Sequence, residues 1–369
     1  MTSRALISLS TCMILLILTG CAPEMERQAI EDLDMAGVIG FDQAAGHKYN
    51  VTVSVPQPTN EQSDEDKVLS SVVQLPHEML YRLSARSGKT LSARQVRVIL
   101  FSEEMARNEG LLTTLLNLYR DPLISNNAYI AVVKGTVHEF MSGGMASKQK
   151  SMYLNDLLHP RESTSFSPFT TLRDFIFRVT NEVSDPMVPY LEKHEEIVEI
   201  SKIGLFREDR LVAFNTLEET RMVEMMRSDK HIPNITVDLD LEGSSQQYLL
   251  LDFVRSRMKT TVKGSLDKAT IHMKLMEQGA VQDFQDGLDL EDPADINKLE
   301  RESEKHIKQD VHRLIQKYNR LSIDPAGIGR YIRAEFRGDW TREKWRKSMQ
   351  DAEYNIDVRV RIRNTGTMR

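Results

Sequence analysis

Val358-Arg359-Val360-Arg361-Ile362-Arg363 alternates apolar and basic residues without a break. Successive side chains of a strand point to opposite faces, so Ile356, Val358, Val360 and Ile362 share one side. Asp357, Arg359, Arg361 and Arg363 share the other. A strand with one apolar face needs a second layer to bury it, and the chain provides one just upstream. Asp292-Pro293 opens the longest helical pattern in the sequence, with Ile296, Leu299, Ile307, Val311, Leu314, Ile315 and Tyr318 as its apolar stripe and charge elsewhere. Residues 234–241, 248–263 and 269–277 read as long strands. The carboxyl-terminal part is therefore expected to be an antiparallel sheet packed with one long helix, an α+β arrangement.

Working back from there, the pattern changes to a mixed α/β one. Residues 51–55 alternate as a strand, and 56–66 read as an exposed acidic loop. Residues 68–75 read as a strand, and from Pro76 a helix carries Met79, Leu80 and Leu83 and stops at Gly88. Residues 96–101 form a short apolar strand, with Ser102 placed to cap a helix starting at Glu103. Residues 127–134 give another strand, ended by Gly135. Ser167-Pro168 signals a helix with Phe169, Leu172, Phe175, Ile176 and Val179 on one face. Pro186 and Pro189 punctuate, residues 191–196 look like a boundary, and 200–206 with 210–215 make a hairpin through Glu208-Asp209. The expected division is a signal segment 1–20, an α/β domain 21–192, a small middle domain 193–240, and the sheet-plus-helix domain 241–369.

The amino terminus is unlike the rest. Arg4 precedes an apolar run of about 14 residues, short of the roughly 20 a bilayer-spanning helix needs. This order is that of an export signal. It ends in Leu18-Thr19-Gly20-Cys21, which resembles the bacterial lipobox, where the cysteine thiol is acylated. The two cysteines of the chain are Cys12, inside the signal, and Cys21. A lipidated Cys21 leaves no thiol pair for a disulfide or a cysteine metal site. Two or more acyl chains give stable anchoring, each buried methylene contributing about 0.8 kcal/mol. Loss of the signal moves the formal net charge from −6 to −7. A mildly acidic surface with mixed signs argues against nucleic-acid binding.

Other motifs resolve to ordinary roles. His194-Glu195-Glu196 lacks the second histidine of a zinc-protease helix, because position 198 is Val. Glu103-Glu104 suits the first turn of a helix better than paired carboxylate chemistry. Gly143-Gly144, near Lys148 and Lys150, makes no phosphate loop, and Gly327-x-Gly329 reads as a turn. Residues 330–347 carry seven Lys/Arg with Trp340 and Trp345, a solvated face or a contact for lipid headgroups or an acidic partner. No catalytic, cofactor or metal residues are assigned.

Four segments, in order, resemble the C subunits of spore nutrient-germinant receptors, the Ger(x)C (GerAC-like) lipoprotein family. They are residues 30–33 with Gly37-Val38-Ile39-Gly40-Phe41-Asp42; residues 98–106 with Gly110-Leu111; Arg120-Asp121-Pro122 with residues 129–135; and Asp324-Pro325-Ala326-Gly327-Ile328-Gly329 followed by Trp340, Trp345 and residues 358–366. The resemblance implies a three-domain mixed α/β ectodomain without a catalytic site, acylated at Cys21. It implies residence on the outer face of the spore inner membrane, with a membrane-embedded A subunit and a permease-like B subunit as partners. Direct contact with a small molecule is left open. The rival expectation is an exported solute-binding lipoprotein that captures a ligand itself, which would need two similar lobes around a cleft.

Overall fold

The computed structural model of the chain describes residues 29–57, 66–146, 149–159, 170–227, 230–239, 247–285 and 288–364. In the first half, β1 (Leu33–Met35) pairs in parallel with β5 (Thr90–Ser92). Eight strands make one sheet: β2 (Val38–Ala44), β3 (Lys48–Val55), β4 (Lys67–Val73), β6 (Val98–Ser102), β7 (Tyr129–Val133), β8 (Met187–His194), β9 (Ile197–Arg207) and β10 (Arg210–Asn215). Their order is β10-β9-β8-β7-β6-β2-β3-β4. The centre, β2-β6-β7-β8, is parallel, and antiparallel strands close both ends. Parallel strands covered on both faces carry unbroken apolar runs, and β6 and β7 are buried at every position.

Helices α1 (Glu78–Ser87), α2 (Glu103–Asn108), α3 (Leu112–Tyr119) and, later in the chain, α6 (Leu172–Asn181) cover one face through Met79, Leu83, Met105, Leu115 and Phe175. Helices α4 (Val137–Ser142) and α5 (Lys150–Leu158) cover the other through Val137, Phe140 and Leu154. The expected start and stop signals act locally. Gly88 ends α1 in the left-handed region, and the Ser102 hydroxyl accepts from the Met105 amide. The start of α6 is set by Thr171, which makes a reciprocal capping box with Asp174. Ser167-Pro168 lies outside the described residues.

The second half holds β11 (Lys230–Leu239), β12 (Gln247–Ser265), β13 (Lys268–Phe284) and β14 (Glu353–Asn364), in that order across the sheet. With them come α7 (Leu217–Arg227), α8 (Pro293–Leu321), α9 (Gly329–Glu335) and α10 (Arg342–Ser348). Asp292 caps α8, and Leu299, Ile307, Val311, Leu314, Ile315 and Tyr318 enter one core with Ile271, Met273, Leu275, Ile356, Val358 and Val360. Each such side chain contributes about 1.5–3 kcal/mol on burial. The expected antiparallel sheet is present from β11 to β13, but its edge strand differs: β14 runs parallel to β13. A parallel neighbour requires a long crossover, and α8, α9 and α10 are that crossover.

The hairpin β9–β10 forms as expected, with Glu208 at positive φ in its turn. Its tip docks on α3: Leu111 N–H donates to the Asp209 carbonyl (3.0 Å) and Leu112 N–H to the Asp209 carboxylate (3.1 Å). Gly110 makes this approach possible, because it has φ +82° and a Cβ there would stand 2.5 Å from Asp209 Oδ2.

The elements expected in a middle domain, 193–240, are shared between the two sheets. β9 and β10 extend the first, and β11 begins the second. The boundary expected at 191–196 is the tight β8–β9 turn through Glu195. Pro189 sits inside β8, just before Tyr190 and Leu191, where pairing with β7 occurs. Val188, Tyr190 and Phe206 join the first core, whereas Met187, Ile203 and Leu205 join the second. The hairpin therefore belongs to both cores.

Candidate functional site

Asp324-Pro325-Ala326-Gly327-Ile328-Gly329 follows α8 and turns through Gly327 at φ +73°. The turn folds onto its own first side chain. Asp324 Oδ1 accepts from Ile328 N–H (2.9 Å), and Oδ2 accepts from Gly329 N–H (2.5 Å) and the Trp345 indole N–H (3.2 Å). Gly329 leaves room for that indole, since a Cβ would stand 3.1 Å from its ring. Asp324 is also locked to the first half: Asp185 N–H donates to its carbonyl (3.0 Å), and Asp324 N–H donates to Asp185 Oδ2 (2.7 Å). Burial pushes the Asp324 carboxyl up to about 6; the Asp185 carboxylate adds to the rise and the three donors oppose it.

Arginines complete this seam. Arg346 bridges Asp185 Oδ1 (2.9 Å) and Glu208 Oε1 (2.8 Å). Arg342 donates to the carbonyls of Val179 (2.6 Å) and Glu182 (3.4 Å), and Arg333 to that of Asn181 (3.1 Å). These carbonyls end α6, where a helix exposes unpaired acceptors and the negative end of its dipole. Arg330 donates to the Arg227 carbonyl at the end of α7. The basic run 330–347 thus sets four of its arginines on the protein's own backbone and carboxylates. Trp345, 2 % exposed, is its core anchor. A second line of contact joins Asn215 Nδ2 to Tyr318 Oη (2.6 Å) and Lys317 to the Phe214 carbonyl (2.9 Å).

The other polar constellation lies at the carboxyl ends of the parallel strands. β6 leaves toward α2 on one face and β7 toward α4 on the other, the arrangement that opens a crevice in α/β sheets. Here the crevice is filled by mutually paired groups. Tyr190 Oη donates to Glu103 Oε2 (2.5 Å), and Arg107 donates to Glu103 Oε1 (2.8 Å). Lys134 donates to Glu192 Oε2 (2.7 Å), and Ser201 donates to Glu192 Oε1 (3.0 Å). Arg107 and Lys202 lie over the Phe214 ring. Burial would raise Glu103, but the Tyr190 and Arg107 hydrogen bonds hold it below the usual carboxylate range. The Lys134 hydrogen bond does the same for Glu192, with burial opposing. Burial first, and then Glu103, push the Tyr190 phenol up. These three groups stay in fixed charge states around neutrality, so none of them is poised to exchange a proton there.

Among the described residues no three His, Cys, Asp or Glu side chains group to hold a metal ion, and no helix is long and apolar enough to cross a membrane. Cys21 lies outside the described residues, as does Lys148. Gly143-Gly144 follows α4 and packs against Lys193 and Glu196. The sequence reading overlooked α7, although Thr216-x-x-Glu219 is a capping box: Thr216 N–H donates to Glu219 Oε2 (2.9 Å) and Glu219 N–H to Thr216 Oγ1 (3.2 Å). It also gave Asp185 and Asp324 no role, because their joint position depends on residues 139 apart in sequence.

The fold is that of a crystal structure of the GerBC protein, with a TM-score of 0.58 over 88% of this chain and 97% of that one, at 15% identity. Two family models match in succession: the spore germination protein N-terminal domain over residues 26–193, and the spore germination B3/GerAC-like C-terminal domain over residues 201–366. The chain belongs to the GerAC-like family of spore germination proteins. Its relatives include spore germination protein GerQC of Bacillus cereus, 25% identical over 95% of this chain and 96% of that protein. Spore germination protein B3 of Bacillus subtilis (strain 168) is 19% identical, with 96% of each chain covered.

Proposed function

We propose that the chain is a non-enzymatic, lipid-anchored subunit of a nutrient-germinant receptor complex. Cys21 carries the lipid and holds the folded part on the outer face of the spore inner membrane, where it binds the membrane A and B subunits. The observation that carries this reading is the succession of the two family domains, which begins at residue 26, five residues after the lipobox cysteine. The anchor and the folded part thus follow one another with little chain between them. The paired charges at the carboxyl edge of the first sheet support a non-enzymatic role. The seam bears on the rival solute-binding reading: capture between lobes needs a cleft that opens, and here the two halves are joined by buried hydrogen bonds and a hairpin common to both cores.

Expression of the intact chain and of Cys21→Ala in a sporulating host tests the proposal. The Ala variant is expected to leave the membrane fraction, lose co-purification with the A and B subunits, and lose nutrient-triggered germination. Full membrane retention of the variant would refute the anchor. Tight binding of amino acids or sugars by the purified chain, measured by calorimetry, would favour direct capture instead.

A further inference from the structure

β14 is one of the two edge strands of the second sheet, and α8 runs along it. At one end the helix caps that edge. Glu304 Oε1 accepts from Val360 N–H (3.2 Å) and Glu300 Oε1 from Ile362 N–H (2.9 Å). Alternate residues of a strand send their N–H and C=O groups to the same side. The register with β13 is unbroken from Glu353 to Ile362, so the amides of Tyr354, Ile356 and Val358 face the same way. No group among the described residues accepts from Ile356 or Val358 on that edge.

Beyond Glu304 the helix changes sign. Lys305, Lys308 and His312 succeed the two glutamates, and a groove of about 1260 Å³ opens between this part of α8, residues 354–357 of β14 and the neighbouring strands. Lys259 and Lys274, paired across β12 and β13, also line it, and Asp357 is its one carboxylate. Lys305 reaches Glu302 and Arg313 reaches Asp310, whereas Lys259, Lys274 and Lys308 form no ion pair among the described residues; Asp357, opposite Lys274 in the register, pairs with Arg359 instead. An unpaired strand edge and three unpaired ammonium groups thus border the same space.

We infer that this groove docks an extended, acidic segment of a partner protein, which adds to β14 as a further strand. Main-chain pairing along an edge supplies affinity, and side chains at alternate positions supply selectivity. The open stretch from Tyr354 to Val358 is about 16 Å long at the usual strand rise. That length suits a segment of about five residues, with carboxylates set against Lys274 and Lys308. A headgroup or a small anion would satisfy the charge and leave the row of amides unused. The inference deepens the receptor-subunit reading by naming a surface and the chemistry of what it takes.

The test uses the full purified chain and a fluorescein-labelled (Val-Glu)4 peptide, followed by fluorescence anisotropy. A (Val-Lys)4 peptide and a (Val-Glu)4 peptide N-methylated at every residue serve as controls; the second keeps the charge and has no backbone N–H left to donate on either edge. Binding of (Val-Glu)4 is expected, weakened about tenfold or more by N-methylation and by the double change Lys274→Glu/Lys308→Glu. The melting temperature of the double variant should be unchanged, which separates lost binding from lost folding. Absence of (Val-Glu)4 binding, equal binding of the N-methylated peptide, or indifference to the double change would each overturn the inference. So would phosphatidylglycerol vesicles that bind through Lys274 and Lys308 while the peptide does not. Peptide binding that survives when no receptor subunit co-purifies would sink the receptor reading and leave the groove standing.

Discussion

The arginines of the seam and the lysines of the β14 groove belong to the same half of the molecule, yet they do opposite things. Arg333, Arg342 and Arg346 reach across to carbonyls and carboxylates of the first half, while Lys259, Lys274 and Lys308 border open space. Side-chain chemistry accounts for the division. A planar guanidinium can hold two acceptors in fixed directions and is weakly hydrated, so it suits a partly buried junction. An ammonium is strongly hydrated and keeps its water until a partner displaces it. Positive charge in the sequence therefore marks two different things, internal fastening and external readiness, and the residue type separates them.

The largest expected effect comes from breaking the fastening at its centre. Asp324→Ala leaves three buried donors without an acceptor, and the destabilisation should be about 3–5 kcal/mol in urea titration. Both halves should unfold together, because the seam couples them.

A pH series sharpens the same point. A carboxyl whose folded-state value lies above its ordinary 3.8, here at about 6, binds its proton more readily in the folded chain. Its contribution is therefore greatest in acid and is lost as pH rises through 6. The stability of the native chain minus that of Asp324→Asn should rise by up to about 1.4 kcal/mol per pH unit as pH falls from 6 toward 4. A flat difference would mean that Asp324 is ionised throughout.

Arg342→Ala uncovers the last carbonyls of α6 and should cost about 1–2 kcal/mol by thermal denaturation. Lys308→Glu stands at the other end of the scale. It should change stability by no more than about 0.5 kcal/mol while weakening acidic-peptide binding.

The elements with strong periodicity were legible in the sequence: α8 from its stripe and Asp292 cap, β14 from its alternation, α1 from its stop at Gly88. The direction of β14 was not, because side-chain alternation is identical in parallel and antiparallel strands. The intervening 68 residues between Phe284 and Glu353 were the available clue, since only a crossover needs so long a connection. Helix α7 was hidden for another reason: Met222, Val223, Met225 and Met226 are all buried, so the segment lacks the one-sided stripe that betrays a surface helix. The seam depends on pairs such as Arg342 with Val179, which no local pattern connects. Of the site residues, Cys21 alone was named from sequence, on a motif that precedes the described fold.

The two family matches meet between residues 193 and 201, inside the β8–β9 hairpin whose opposite faces fill different cores. A gene exchange at that point would join strands that never matured together. Moving the junction past Asn215 would keep the first sheet whole, but would still bring a foreign Ile203 and Leu205 to the second core. The halves are thus inherited as a matched pair, and hybrids of two relatives should fold only when the hairpin and the core behind it come from the same parent.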